Sequence, residues 1–205
     1  AVYGAEKNIS FVTLADGNTS FQVQVLPVAD GVDPGNFDLS QLVVTDGSVL
    51  EDVASTFFLS ANANLGLRTE IGKIQMYDAG SEGIALTLSL PEQNSIATFQ
   101  KSAQVNSDAF VSVLSEDGLS ISFYAHGDVA VNRLVQALAS QTLRGNENES
   151  GDVQVSFKVG SYEVSSLKAA GPSELSWVGT SGLLSATITA VSDVPNVPVV
   201  SLQSD

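Results

Sequence analysis

The sequence contains no cysteine, a single histidine, a single tryptophan and only eight lysines and arginines among 205 residues. Without cysteine there can be no disulfide, no thiolate metal site and no thiol nucleophile. One histidine, His126, cannot build a histidine-rich zinc site. Nor does a Gly-x-Ser-x-Gly motif offer it a serine partner, so a strand-end surface position is its expected place. The phosphate-binding patterns Gly-x-x-x-x-Gly-Lys-Ser/Thr and Gly-x-Gly-x-x-Gly are missing, as is the Gly-Gly-x-Gly-x-Asp calcium-roll repeat. No apolar run reaches the roughly 18 residues of a membrane-crossing helix. No signal-peptide pattern opens the chain, and Ala1 in place of a start methionine suggests a processed form or a fragment. The basic residues face 23 acidic ones, for a formal net charge of −15. Such a surface repels nucleic acid and anionic membranes, and suits divalent cations, basic partners or solubility in salt.

What the sequence does have is alternation. Asn8–Leu14, Phe21–Val28, Ile84–Leu90 and Val153–Val159 read as strands with alternating apolar residues, and Ala97–Phe99, Phe110–Leu114 and Leu119–Tyr124 are three more candidate strands. Leu42–Val44, Lys73–Tyr77, Tyr162–Lys168, Leu175–Val178 and Leu183–Val191 are weaker candidates, and Phe57–Leu59 reads as a buried apolar run. Asp16-Gly17-Asn18, Asp46-Gly47 and Ser115-Glu116-Asp117-Gly118 carry turn chemistry. Gly31, Pro34 and Gly35 break regular structure after Asp30. One stretch has helical period: Val131, Leu134, Val135 and Leu138 fall on one face of 128–141, with Asp128 in the N-cap position. Many short strands and one short helix predict an all-β protein, a Greek-key β-sandwich of cadherin or immunoglobulin type, with a jelly roll as the alternative.

Two stretches echo each other. Phe21–Asp33 is an alternating strand that runs into an acidic segment, and Leu184–Asn196 repeats that pattern near the far end. Together they predict a unit cut from a tandem array. Residues 1–30 are N-terminal strands, either the edge of this domain or the end of a preceding repeat, with their linker; a long sandwich spans 31–198, and 199–205 begins the next linker.

Several pieces, in order, carry a resemblance to a known family. They are the strand and aspartate of Val23–Asp30, Leu50-Glu51-Asp52-Val53-Ala54, Tyr77-Asp78-Ala79-Gly80 before a strand, the helix of Val129–Leu143, and the Gly151-Asp152 turn with its following strand. This order resembles the cadherin-like repeats of large bacterial type I-secreted surface adhesins with repeats-in-toxin tails, across roughly Phe21–Pro198. It departs at Gly80, where the family has a second acid, and the unit is long, with extra chain at Asn94–Asp108 and Ser161–Gly182. The resemblance implies Ca²⁺ held by oxygen ligands at repeat junctions. Carried over by position, it points to Asp30, Asp33, Glu51, Asp52 and Asp78 at one end, and to Asp193 and Asn196 at the next junction. Glu82 would replace the missing second acid. The competing reading makes these turn aspartates serving local backbone amides.

The function expected is therefore a non-enzymatic, calcium-binding extracellular module of a bacterial adhesin, used in adhesion and biofilm. It would act as a stiff extender or as a binder of a peptide or glycan on a target cell, with neighbouring repeats of the same chain as partners. The alternative is a structural surface domain of a flagellin-like or virion assembly protein. Nothing marks an acid pair for glycoside hydrolysis. Trp177, beside glycine-rich loops, is expected in the core between sheets, against the alternative of an exposed ligand platform. The sequons Asn8-Ile9-Ser10, Asn18-Thr19-Ser20 and Asn148-Glu149-Ser150 mean little in a bacterial protein.

Overall fold

The structure, a computed structural model, describes residues 7–13, 19–25, 28–33, 48–56, 61–78, 80–93 and 95–191. Strands β1 (Lys7–Thr13) and β2 (Thr19–Val25) pair antiparallel as their own two-stranded sheet, Phe11 opposite Phe21. The remaining described chain is an all-β sandwich with two helices. Its strands are β3 (Ser48–Leu50), β4 (Ala54–Thr56), β5 (Glu82–Ser89), β6 (Ala97–Phe99), β7 (Phe110–Leu114), β8 (Ser120–Ala125), β9 (Thr142–Gly145), β10 (Gly151–Glu163) and β11 (Leu175–Thr189). Six of them form one sheet in the order β3-β11-β10-β5-β8-β7, and three form a small sheet, β4-β9-β6. The candidate strand Leu42–Val44, the run Phe57–Leu59 and the turns at 16–18 and 46–47 lie outside the described residues.

Alternation decides which side of the large sheet is core. Ile84, Leu86 and Leu88 of β5 stand opposite Ser161, Val159 and Phe157 of β10. These apolar side chains are buried with Phe99 of β6, Leu143 of β9 and Phe123 of β8 in one cluster between the sheets. Each fully buried large apolar side chain there contributes roughly 1.5–3 kcal/mol relative to exposure. The opposite parity of the same strands makes a second, smaller cluster on the outer face: Ala85, Val111, Tyr124 and Tyr162, covered by Val164, Leu167 and Leu175. The chain crosses that face between β10 and β11, through a single 3-10 turn at Val164–Ser166.

Helix α2 (Ala130–Ala139) forms where the helical period predicts it, burying Ala130, Leu134, Val135, Ala137 and Leu138. Asp128 does not cap it. The N-cap is Val129, without a side-chain cap bond, and the first turn is set by Ala130 N–H donating to the Gly127 carbonyl. Gly127 has φ +73°, which a glycine adopts without strain. A second helix, α1 (Ala61–Gly72), occupies a stretch that has no helical signal in the sequence. Asn62, Asn64 and Gly66 are poor helix formers. The helix is held instead by tertiary contact: Ile71 is buried in the core, and Arg68 donates to Asn132 of α2. The expected strand at Lys73–Tyr77 reduces to one bridge, Met76 with Val32.

The broken strands near the C-terminus are continuous. β10 runs 13 residues and β11 runs 15, with a register shift between Lys158 and Val159. Gly160 reads as a break but is a close approach: a Cβ there would lie 2.3 Å from the Ser176 carbonyl oxygen and 2.8 Å from the Trp177 ring. Trp177 itself is 40% exposed, so it is not a core residue.

Candidate metal centre

The predicted acids do not gather at one end. β5 pairs with β10 so that Glu82 stands opposite Glu163, at the end of β10. β3 pairs in parallel with β11 at Thr187–Thr189, and Ile188 stands opposite Gly151, at the start of β10. Glu51 and Asp52, which follow β3, therefore lie at the opposite end of the sheet from Glu82. The separation is the length of a 13-residue strand, roughly 40 Å. The expectation of a single site from Asp30, Asp33, Glu51, Asp52 and Asp78 is corrected to two poles. The parallel pairing of β3 with β11 is the physical reason, because it carries Glu51 to where β11 ends.

At the entry pole, Asp30, Asp33, Asp78 and Glu82 are neighbours. The segment expected to be a linker is seated on the sandwich: Val32 is in the core, Asp33 N–H donates to Gln75 O (2.8 Å) and Tyr77 N–H to Gly31 O (3.3 Å). Glu82 is 2% exposed. Its Oε1 accepts from the Asp30 backbone amide and from Ser161 Oγ (2.9 Å), and its Oε2 accepts from Asp78 N–H (3.2 Å). Ser161 in turn accepts from Gly31 N–H at 2.9 Å. Asp78 wraps its own loop, taking Gly80 N–H on Oδ1 (3.1 Å) and Ser81 Oγ on Oδ2 (2.9 Å). Gly80, where the family has an acid, is thus an amide donor to Asp78. Buried Glu163 completes the pole. Burial first, then the charges of Glu82, Asp78, Asp30 and Glu174, raise its pKa above the usual carboxylate range, and no basic group opposes them.

At the exit pole, Glu51 is 3% exposed. Its Oε1 accepts from Val191 N–H at 2.6 Å, while its Oε2 is enclosed and has no hydrogen-bond partner among the described residues. Glu51 N–H donates to Thr189 O and Asp52 N–H to Gly145 O. Asp52 is exposed and left-handed, with φ +61°, as aspartate tolerates at a turn. A cleft of about 290 Å³ beside it is lined by Asp52, Thr98, Gln100, Arg144, Gly145, Asn146 and Glu147. Asp193 and Asn196 lie outside the described residues.

The donor sets differ in how they fit a hard cation. At the entry pole the Glu82 and Asp78 oxygens already serve protein donors, the turn-building use of acids. At the exit pole an enclosed carboxyl oxygen has no donor among the described residues, which is where a cation would compensate it. Among the described residues no three acidic or histidine side chains converge on one point, so any exit-pole coordination shell would need oxygens from elsewhere. Sequence reasoning missed Ser161, Glu163 and Glu174. The first two had a signal: the core-facing parity of Val153, Val155, Phe157 and Val159 continues to Ser161 and Glu163, two polar residues on an apolar face.

No protein-family model matches the chain, and no curated protein is significantly similar to it.

Proposed function

We propose that this chain is a non-enzymatic extracellular module of a bacterial surface adhesin, in which a calcium ion locks the exit pole where one unit passes to the next. The observation that carries the reading is the buried Glu51 Oε2 without a donor, on a carboxylate whose other oxygen grips the Val191 backbone. An unpaired buried carboxylate oxygen costs stability, and a divalent cation is the strongest compensation available in a chain of net charge −15. Asp193 and Asn196 follow Val191 within five residues and carry the oxygen ligands that resemblance to the adhesin repeats assigns to this junction. Calcium supplies positive charge that joins Glu51 to the departing chain. The chain's own part is to hold Glu51 rigid, through Thr189 and Gly145, and to keep water from it. Among the described residues no helix is long and apolar enough to cross a membrane.

Thermal unfolding in calcium and in chelator tests this. A cation bound at about 100 times its dissociation constant adds about 2.7 kcal/mol, which is an upward shift in Tm of roughly 5–10 °C for a chain of this size. Glu51→Gln should abolish that shift. Equal Tm values in calcium and chelator would sink the calcium reading and leave the fold intact.

A further inference from the structure

The outer face of the large sheet carries a cleft of about 570 Å³, within the range of small-molecule sites. Its floor is apolar: Val111 of β7, with Val164 and Leu167 from the segment that crosses the outer face. His126, Asp108 and Lys168 also line it. Both walls are hydrogen-bonded in place. On one side Ser107 and Phe110 exchange backbone bonds of 2.7 and 3.2 Å, and Asn106 Oδ1 accepts from Ser112 N–H at 2.8 Å. On the other, Leu167 N–H donates to Val164 O, and Lys168 and Gly171 exchange backbone bonds.

We propose that this cleft binds a small zwitterion with an aliphatic body, of the class of free α-amino acids such as leucine. The three charged or titratable lining groups carry the argument. Tyr162 is fully buried, burial raises its pKa, and His126 Nδ1 at 2.9 Å is the partner of its hydroxyl. With the Tyr162 hydroxyl donating to Nδ1, the ring keeps an N–H donor on Nε2. Lys168 lines the same cleft, and an imidazole N–H with an ammonium suits a carboxylate. Asp108 suits an ammonium. Neither Lys168 nor Asp108 has a side-chain ion pair among the described residues. The net charge of −15 disfavours an anion at long range, whereas a zwitterion carries no net charge to repel. Among the described residues no Phe, Tyr or Trp ring lines the cleft, which removes the usual stacking platform for a sugar.

The test is an amide NMR titration of the whole chain with leucine, leucinamide and N-acetyl-leucine. Chelator is present throughout, so the outcome is independent of the calcium reading. Leucine should give saturable shifts at residues 106–111, 126 and 164–169, with Kd near or below about 1 mM. Leucinamide, without the carboxylate, and N-acetyl-leucine, without the ammonium, should each bind at least about tenfold more weakly. K168M should erase the preference for leucine over leucinamide, and D108N the preference for leucine over N-acetyl-leucine, with both variants keeping the wild-type spectrum elsewhere. No saturable shift by about 10 mM, equal binding of the three compounds, or shifts mapping to another face would each overturn the proposal.

Discussion

The two poles of the sandwich solve the same problem with the same residue type and differ in one atom. At each, a buried glutamate accepts the backbone amide of the chain where it joins or leaves the sandwich: Glu82 takes Asp30 N–H, and Glu51 takes Val191 N–H. At the entry pole both Glu82 oxygens are used, and Ser161 links the glutamate to Gly31. At the exit pole one Glu51 oxygen has no donor among the described residues. A fully bonded carboxylate is a structural staple, while the half-bonded one is where the proposed calcium would act. An acidic cluster therefore says little until its hydrogen bonds have been traced.

The largest expected effect comes from truncating the staple. Glu82→Ala leaves the Asp30 amide, the Asp78 amide and the Ser161 hydroxyl without their acceptor, and should cost about 3–4 kcal/mol in urea unfolding, since each abandoned group costs on the order of 1–3 kcal/mol and they overlap. In chelator, Glu51→Ala removes a single acceptor together with a buried oxygen that has no donor among the described residues, and should cost less than about 1 kcal/mol. Equal losses at the two sites would break the distinction between the poles.

Glycines sharpen the same contrast. Gly83, beside Glu82, sits under Tyr162: an added Cβ would lie 2.5 Å from that ring, which is fully buried. Gly145, beside Glu51, would place its Cβ 2.6 Å from the Ile188 Cγ2 methyl and 3.0 Å from Glu51 Cα. Overpacking typically costs about 1–3 kcal/mol. Gly83→Ala should fall at or above the top of that range and Gly145→Ala below Gly83→Ala, because the first Cβ meets three Tyr162 atoms within 2.7 Å and the second meets one methyl carbon at 2.6 Å. Chemical denaturation of both variants checks the order.

The smallest effect concerns pH. The folded-state pKa of Glu163 is raised, first by burial and then by four nearby acids. Folded protein then holds that proton more tightly than unfolded protein, so the group's contribution to stability is lost as pH rises from the ordinary glutamate value, about 4.3. Glu163→Gln should leave stability at pH 4 unchanged and raise Tm at pH 7 by about 1–2 °C, with solvent screening at the pole keeping the gain small. A Tm at pH 7 that is unchanged or lower would show that its neighbours do not repel it.

The strands with clean alternation were legible in the sequence. Ala97–Phe99 and Phe110–Leu114 coincide with β6 and β7, and the stripe of Leu134, Val135 and Leu138 with α2. Helix α1 was not legible, because its stability comes from α2 and the core and not from Asn62, Asn64 or Gly66. The unbroken length of β10 was hidden where its alternation stops at Gly160, which acts as room for Ser176. At the candidate site, the neighbourhood of Asp30, Asp78 and Glu82 could be reached from sequence order, whereas Ser161, Glu163 and Glu174 join it only through strand pairing.

By itself the sequence determined an all-β sandwich with a helical patch, a strongly acidic surface and the absence of cysteine chemistry, because period, charge and composition are local properties of the chain. Only the tertiary structure decided that Glu51 and Glu82 lie at opposite poles, and that one carboxylate is bonded on both oxygens while the other, among the described residues, is bonded on one. That decision rests on pairings such as Glu51 with Val191, 140 residues apart, and no local pattern encodes which strand end a distant residue will meet.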